Sequence, residues 1–184
     1  ASDIEFKFPF GFKELEGIHS RTDFDLSKHE EFSGKKLKFF DPEKNENYTP
    51  YVVETSVGLD RMFLAVFSWA LKEEIIEGGS TRIVLKLPAI LAPYKIAILP
   101  LLKKDGLPEM ARSILENLKW KYNISYDEKD AVGRRYRRQD AIGTPFCITL
   151  DHQSLEDQTA TIRDRDTMNQ ERIPIKDISN FLDN

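Results

Sequence analysis

The sequence predicts an α/β (α+β) chain in two parts: the tail end of an antiparallel sheet, followed by a mixed sheet with helices on its faces. Three observations predict it. Residues 6–54 hold several short strand-like runs, residues 95–182 alternate strand-like and helix-like runs, and Gly78-Gly79-Ser80 punctuates the chain between them. The domain boundary is placed near residue 90, giving segments 1–90 and 91–184. A length of 184 residues suits one large or two small domains, and 40% apolar with 32% charged residues indicates a soluble, globular and cytoplasmic protein. Apolar runs such as 96–102 are far shorter than a bilayer span, so no membrane association is expected.

In the first part the expected elements are strands at 6–10 and 14–18, a short helix at 25–33, strands at 36–40 and 51–54, and a helix over 57–76. Tyr51, Val52 and Val53 favour a strand, Pro50 fits its first position, and Gly58 lets the chain turn closely into the helix. Apolar residues then recur at Leu59, Met62, Phe63, Val66, Phe67 and Ala70, a helical series expected to bury one face, with Arg61 off it. In the second part the order is strand 95–101, helix 108–122, strand 124–127, helix 131–142, strands 145–151, 159–164 and 171–174, and helix 175–182. Ala111, Ile114, Leu115 and Leu118 form a core stripe, and Pro108 is compatible with a first helical turn. Gly143 is available for a left-handed helix cap, and Pro145 stops the helix from continuing. Asp140 and Gly143 are read as structural.

Charge and single residues narrow the function. A net charge of −4 argues against nonspecific coating of nucleic acid, which rests on many cationic contacts to phosphates. Local basic surface remains possible. Arg134, Arg135, Arg137 and Arg138 cluster around Tyr136, and they either face RNA or pair with the preceding Asp127, Glu128 and Asp130. Arg163 and Arg165 share a strand face by alternation, directed either to RNA or to solvent. The single cysteine, Cys147, sits in an apolar run and reads as a buried strand residue. His19, His29 and His152 lack metal-ligand spacing, and the G-x-S-x-G, P-loop and G-x-G-x-x-G patterns are all absent.

The strand-to-helix seam at 48–65 carries the most chemistry. A carboxylate (Glu54), a hydroxyl (Ser56) and a guanidinium (Arg61) within eight residues either contact a ligand with an ammonium at one end, or form an edge-strand ion pair with Ser56 capping the helix. Glu54-Thr-Ser-Val-Gly-Leu-Asp-Arg61 resembles motif 3 of class II aminoacyl-tRNA synthetases, specifically the glycyl-tRNA synthetases. Two further segments agree: Phe10-Gly-Phe-Lys-Glu14 through Arg21-Thr-Asp-Phe-Asp-Leu to His29 is similar to the glycine-site segment. Leu91-Ala-Pro-Tyr-Lys-Ile-Ala-Ile-Leu-Pro100 and Val132-Gly-Arg-Arg-Tyr-Arg-Arg-Gln-Asp-Ala-Ile-Gly-Thr-Pro-Phe146 resemble the anticodon-binding domain.

That resemblance implies a glycine tRNA ligase acting with ATP and Mg2+: glycine and ATP give glycyl-adenylate and pyrophosphate, and the glycyl group passes to glycine tRNA. It implies Glu14, Glu54 and Ser56 on glycine, Arg61 stacked on adenine, and supporting roles near ATP for Arg21 and Glu16; Glu16, expected on the face of Glu14 by its i, i+2 spacing, either joins a magnesium or substrate shell or forms a structural ion pair. Arg134, Arg135, Arg137, Arg138, Arg163 and Arg165 are the corresponding candidates for tRNA. Thr55 stands where many members have proline. Motif 1, the family's dimer interface, and motif 2, with its α-phosphate arginine, have no counterpart here, so the chain is expected to be a C-terminal fragment of a homodimeric enzyme and inactive alone. The alternative is a noncatalytic synthetase-like accessory protein that binds nucleic acid or a protein partner. Retention of Glu14, Glu54, Ser56 and Arg61 together speaks against it.

Overall fold

In the computed structural model, which describes residues 1–183, the chain divides into two compact units, 1–68 and 69–184, the division falling between Ser68 and Trp69. The first unit is built on a three-stranded antiparallel sheet in the order β1-β2-β5: β1 (Ser2–Phe8), β2 (Gly11–Thr22) and β5 (Val52–Val57). Between β2 and β5 lie helix α1 (Phe24–Ser33) and a small hairpin, β3 (Phe39–Asp41) with β4 (Glu46–Tyr48). Gly34 ends α1 in the left-handed conformation, its N–H returned to the Glu30 carbonyl. Residues 36–38, expected to begin a strand, are irregular; pairing starts at Phe39, and its partner β4 carried too little apolar signal to be foreseen.

Helix α2 (Leu59–Ala70) follows β5 and ends six residues before the expected Ile76. The missing tail is a strand. β6 (Leu71–Ile75) pairs with β7 (Thr81–Leu85), and Gly78 and Gly79, both at positive φ, make the turn. The glycine pair therefore closes a hairpin and does not separate domains. That hairpin packs with the second unit, which places the packing division at 68/69. Arg82 of β7 is buried against Asp140, and Arg165 donates to the carbonyl oxygens of Leu85 and Leu87.

The second unit holds a five-stranded mixed sheet ordered β12-β11-β10-β8-β9, from β8 (Ile96–Pro100), β9 (Ile124–Tyr126), β10 (Phe146–Leu150), β11 (Thr159–Asp164) and β12 (Gln170–Pro174). β8, β9 and β10 are parallel, and β11 and β12 add an antiparallel edge. Helix α3 (Leu107–Leu118) has Pro108 in its first turn and buries Leu107, Ala111, Ile114 and Leu118 in one core with Ile96, Ile98, Ile148 and Leu150. Ala97, Leu99 and Cys147 form a second cluster, packed by Tyr136 of helix α4 (Val132–Ile142). Burial pushes the Cys147 thiol up to about 12, so it is inert as a nucleophile at neutral pH. Two short helices complete the unit, α5 (His152–Asp157), which was not foreseen, and α6 (Ile178–Asp183).

The predicted core stripe of α2 is covered only at its C-terminal end. Ala70 is buried and Val66 half-buried, whereas Leu59 is 82% exposed and Phe63 68%; Ala65, off the stripe, is buried instead. The first turns of the stripe stay open among the described residues.

Candidate functional site

β2 and β5 form the platform. Their antiparallel register sets Gly17 opposite Ser56 and His19 opposite Glu54, and the i, i+2 spacing on each strand puts all four on one sheet face. The His19 ring lies close over Gly17: a Cβ there would come within 2.6 Å of its Nε2, so any side chain at 17 would push the imidazole aside. Arg21 extends the row. Its guanidinium forms a two-pronged pair with Asp25 (Nε–Oδ2 2.8 Å, Nη2–Oδ1 2.9 Å) and lies 3.4 Å from the Glu54 carboxylate. The Arg21 hydrogen bond holds the Asp25 carboxyl below its ordinary value. Asp25 sits in the first turn of α1, where a carboxylate is also favoured by the helix dipole.

Glu14 and Arg61 meet at the other end. Arg61, in the first turn of α2, donates from Nη1 to the backbone carbonyl of Glu14. The Glu14 carboxylate itself is exposed, as are Glu54, Ser56 and Arg61. Chemically the face offers carboxylates for an ammonium, a hydroxyl and a planar cation, which suits a zwitterionic ligand joined to an aromatic base.

Glu16 does not behave as its spacing suggested. The pairing of β1 with β2 shifts between Ile4 and Glu5, so Glu16 lies opposite Ile4 and Glu14 opposite Glu5, neighbours that face opposite sides of β1. The extra residue, Leu15, breaks the alternation, and the expectation that Glu14 and Glu16 share a face fails. Among the described residues no group of three His, Cys, Asp or Glu could hold a metal. His19 and Gly17 were missed by sequence reading. The signal was present, since a glycine two residues before a histidine in a strand marks a close approach.

The arginines of the second unit mostly turn inward. Arg135 is 1% exposed and donates to the carbonyl oxygens of Pro100 (2.7 Å), Asp127 (3.1 Å) and Leu101 (3.3 Å), closing the carboxyl end of β8. Arg163 pairs through two nitrogens with Asp140 at 2.7 and 3.1 Å, and Arg82 approaches the same carboxylate at 3.2 Å. Arg165 donates to Leu85, Leu87 and Gly143 carbonyls and to Asp166. Arg135, Arg163 and Arg165 are thus structural, neither solvated nor available to RNA. Their long stems cross the core while every acceptor they reach is a carbonyl or carboxylate. Arg138 is exposed but pairs with Asp127 and Asp130, and Arg137 leans on Asp140. Arg134 is exposed and its side chain makes no ion pair among the described residues.

Comparison with known proteins places this geometry. Residues 95–184 match the family described as Anticodon binding domain. The chain is 51% identical over 184 residues to a glycine–tRNA ligase of Borrelia hermsii, spanning 99% of this chain and 41% of that protein, and 54% identical over 181 residues to one of Clostridium beijerinckii, spanning 98% and 39%. The chain therefore spans about 40% of the length of the relatives it matches. Among solved structures, the RNA binding domain of a threonyl-tRNA synthetase from Cryptosporidium parvum superposes with a TM-score of 0.71 at 18% identity, covering 98% of this chain and 41% of that one. A Giardia lamblia prolyl-tRNA synthetase in complex with prolyl-adenylate superposes at 0.63 and 19%, covering 98% and 38%. At those identities the likeness is one of fold.

Proposed function

The chain belongs to the glycyl-tRNA synthetase family, with residues 95–184 as its anticodon binding domain, and on that premise we propose that it supplies one wall of a site for glycine and ATP together with the tRNA-binding domain of a longer, homodimeric ligase. The observation that carries the reading is the register of β2 against β5, which sets Glu54 and Ser56 side by side with Arg21 behind the carboxylate and Arg61 at the start of the next helix. In this reading residues 1–90 are the end of the catalytic domain and 91–184 the anticodon-binding domain.

Glycine has no side chain to grasp, so selectivity must come from holding its ammonium while leaving no room for a Cβ substituent. Glu54 and Glu14 take the ammonium and Ser56 adds a hydroxyl contact. Arg21, 3.4 Å from the Glu54 carboxylate, orients it, and His19 packed over Gly17 fills the adjoining space. Arg61 offers its planar cation to the adenine face. Mg2+, expected for the reaction, neutralises phosphate charge; no three acidic or imidazole groups of the described residues converge to hold it, Glu16 included, so no step is assigned to a metal bound by this chain. On the anticodon side Arg134 is the best-placed cation, with Arg137 and Arg138 partly committed to Asp140, Asp127 and Asp130. All of the glycine-side groups are exposed, and adenylate chemistry needs water kept out, so the 184-residue chain alone is expected not to turn over.

The test is glycine-dependent ATP–pyrophosphate exchange in the longer protein. Glu54→Gln and Arg61→Met should each lower exchange by at least about 100-fold, the size of effect expected on losing a charge-assisted contact to a reacting ligand. Exchange unaffected by both substitutions sinks the assignment. Robust exchange by the 184-residue chain itself would refute its expected inactivity.

A further inference from the structure

The hairpin β3–β4 and the segment leading into it combine two features that the glycine site does not use. Lys35, Lys36 and Lys38 are exposed, and none of their side chains has an ion-pair or hydrogen-bond partner among the described residues. By contrast Lys28, on the preceding helix, is paired with Glu31. The backbone of the segment is fixed at both ends: Ser33 Oγ accepts from the Lys35 N–H at 3.2 Å, and the Glu30 carboxylate accepts from the Leu37 N–H at 3.4 Å. The lysines are thus free cations on a tethered backbone.

Immediately after them come exposed rings. Phe39 and Tyr48 lie directly opposite one another across the hairpin, rings edge-on with centroids 5.9 Å apart, and Phe40 is exposed opposite Asn47. The hairpin's own acids sit at its far end. Asp41 accepts from the Glu43 and Lys44 N–H groups and closes the turn, where Glu43, Lys44 and Glu46 lie beside it, so the tip carries net negative charge while Lys35, Lys36 and Lys38 stand at the base. Unpaired lysines beside exposed aromatic faces are the combination that binds single-stranded nucleic acid, cations tracking phosphates and rings stacking on bases. A buried apolar contact with another protein segment would more naturally exclude three unpaired ammonium groups.

Position in the chain says which part of an RNA. Tyr48 precedes Glu54 by six residues, at most about 20 Å of extended chain, so the hairpin adjoins the strand assigned to glycine. An acceptor that takes an acyl group from that site must bring an unpaired end to it. We propose that the β3–β4 hairpin and Lys35, Lys36 and Lys38 form a contact surface for the single-stranded 3′ end of the RNA substrate, lysines on its phosphates and the Phe39–Tyr48 pair stacked on a base. This rests on the synthetase reading above and names where its RNA partner enters.

The test uses the 184-residue chain and a labelled RNA stem-loop with an unpaired 3′ tail and no anticodon sequence, with a blunt-ended stem as control, followed by fluorescence anisotropy over a salt series. Tighter binding of the tailed stem is expected. Lys36→Glu with Lys38→Glu should weaken it about tenfold and reduce the salt slope by about 2, as expected for two lost phosphate contacts. Phe39→Ala should cost about five- to tenfold and abolish the preference for the tail. Circular dichroism checks that the variants keep the wild-type fold; these are exposed positions, and the lysine and ring variants test the surface independently. Equal binding of tailed and blunt stems, no binding by the wild-type chain at low salt, or indifference to the lysine reversals overturns the proposal. So does a result in which the ring variant alters only the chain's sedimentation, which would make the hairpin a protein contact. Pyrophosphate exchange involves no RNA, so a failure there and a failure here are distinguishable.

Discussion

The two units treat their side chains in opposite ways. Residues 69–184 bury arginines: Arg82, Arg135, Arg163 and Arg165 lie inside with nearly every donor matched. Residues 1–68 expose aromatics: Phe10, Phe12, Phe32, Tyr51 and Phe63 are each more than half exposed. One unit has closed around its charges, and the other displays the residues that ordinarily make a core. The difference teaches that composition alone does not separate interior from interface. In the second unit a cationic cluster is structural, whereas in the first an apolar stripe is available surface.

The sharpest way to break the comparison is at Asp140, which is fully buried and shared by Arg163, Arg82 and Arg137. Asp140→Ala leaves guanidinium groups buried without their counter-ion, and the expected loss is about 3–5 kcal/mol in urea denaturation. A loss below about 1 kcal/mol would mean that water or relaxation replaces the carboxylate, and that the second unit is not organised by its charges. Gly143→Ala is next. Gly143 stands at φ +86°, and a Cβ would come within 3.0 Å of the Leu85 carbonyl oxygen, so the substitution meets both backbone strain and a neighbour that cannot move aside easily. About 1–2 kcal/mol is expected from the backbone alone.

A third test is by pH. Arg172 donates to both oxygens of Asp151 at 2.8 and 2.9 Å, and that hydrogen bonding, with the N–H of Ser154, holds the Asp151 carboxyl down at about 2. A carboxyl lowered in the folded state binds its proton first in the unfolded chain. Its stabilisation is therefore complete above about pH 4 and is lost as the pH falls from 4 towards 2. Asp151 is partly solvated, so the effect is of the order of 1 kcal/mol after screening. Arg172→Gln should flatten the dependence in that window, seen as equal denaturation midpoints at pH 4 and pH 2.5 once the background slope is subtracted.

Legibility in the sequence followed the same division. In the second unit each strand of the five-stranded sheet was foreseen within a residue or two, because alternation and the α3 stripe are enforced by one closed core. Gly143 as a left-handed cap was equally legible, since its requirement is local. What failed were features set by remote partners. Residues 71–75 look helical and become a strand because Thr81–Leu85 pairs with them. Arg163 and Arg165 read as a surface pair and are buried because Asp140 and the carbonyls of Leu85, Leu87 and Gly143 lie across from them. Glu14, Glu54, Ser56 and Arg61 were legible as a group only through their resemblance to a family motif. The part that resemblance did not supply, His19 packed over Gly17 on the face of Glu54 and Ser56, depends on strand register.

The smallest expected effect is the most telling for the first unit. The stripe of α2 has the spacing of a core helix, yet Leu59 and Phe63 lie open, and among the described residues the ring partner of Phe63 is Phe67 of the same helix. Leu59→Ser with Phe63→Ser should therefore change the chain's stability by no more than about 0.5 kcal/mol, the range of ordinary surface substitutions. The single change Ile148→Ala in the second unit should cost about 2–5 kcal/mol. If the α2 pair also costs several kcal/mol, the stripe is packed in solution and the contrast between the units is false. If it costs nothing here but destabilises the longer protein, the stripe is an interface that the rest of that protein covers. The helix carrying Arg61 would then be held against the sheet by the Glu14 contact on one side and by the longer chain on the other.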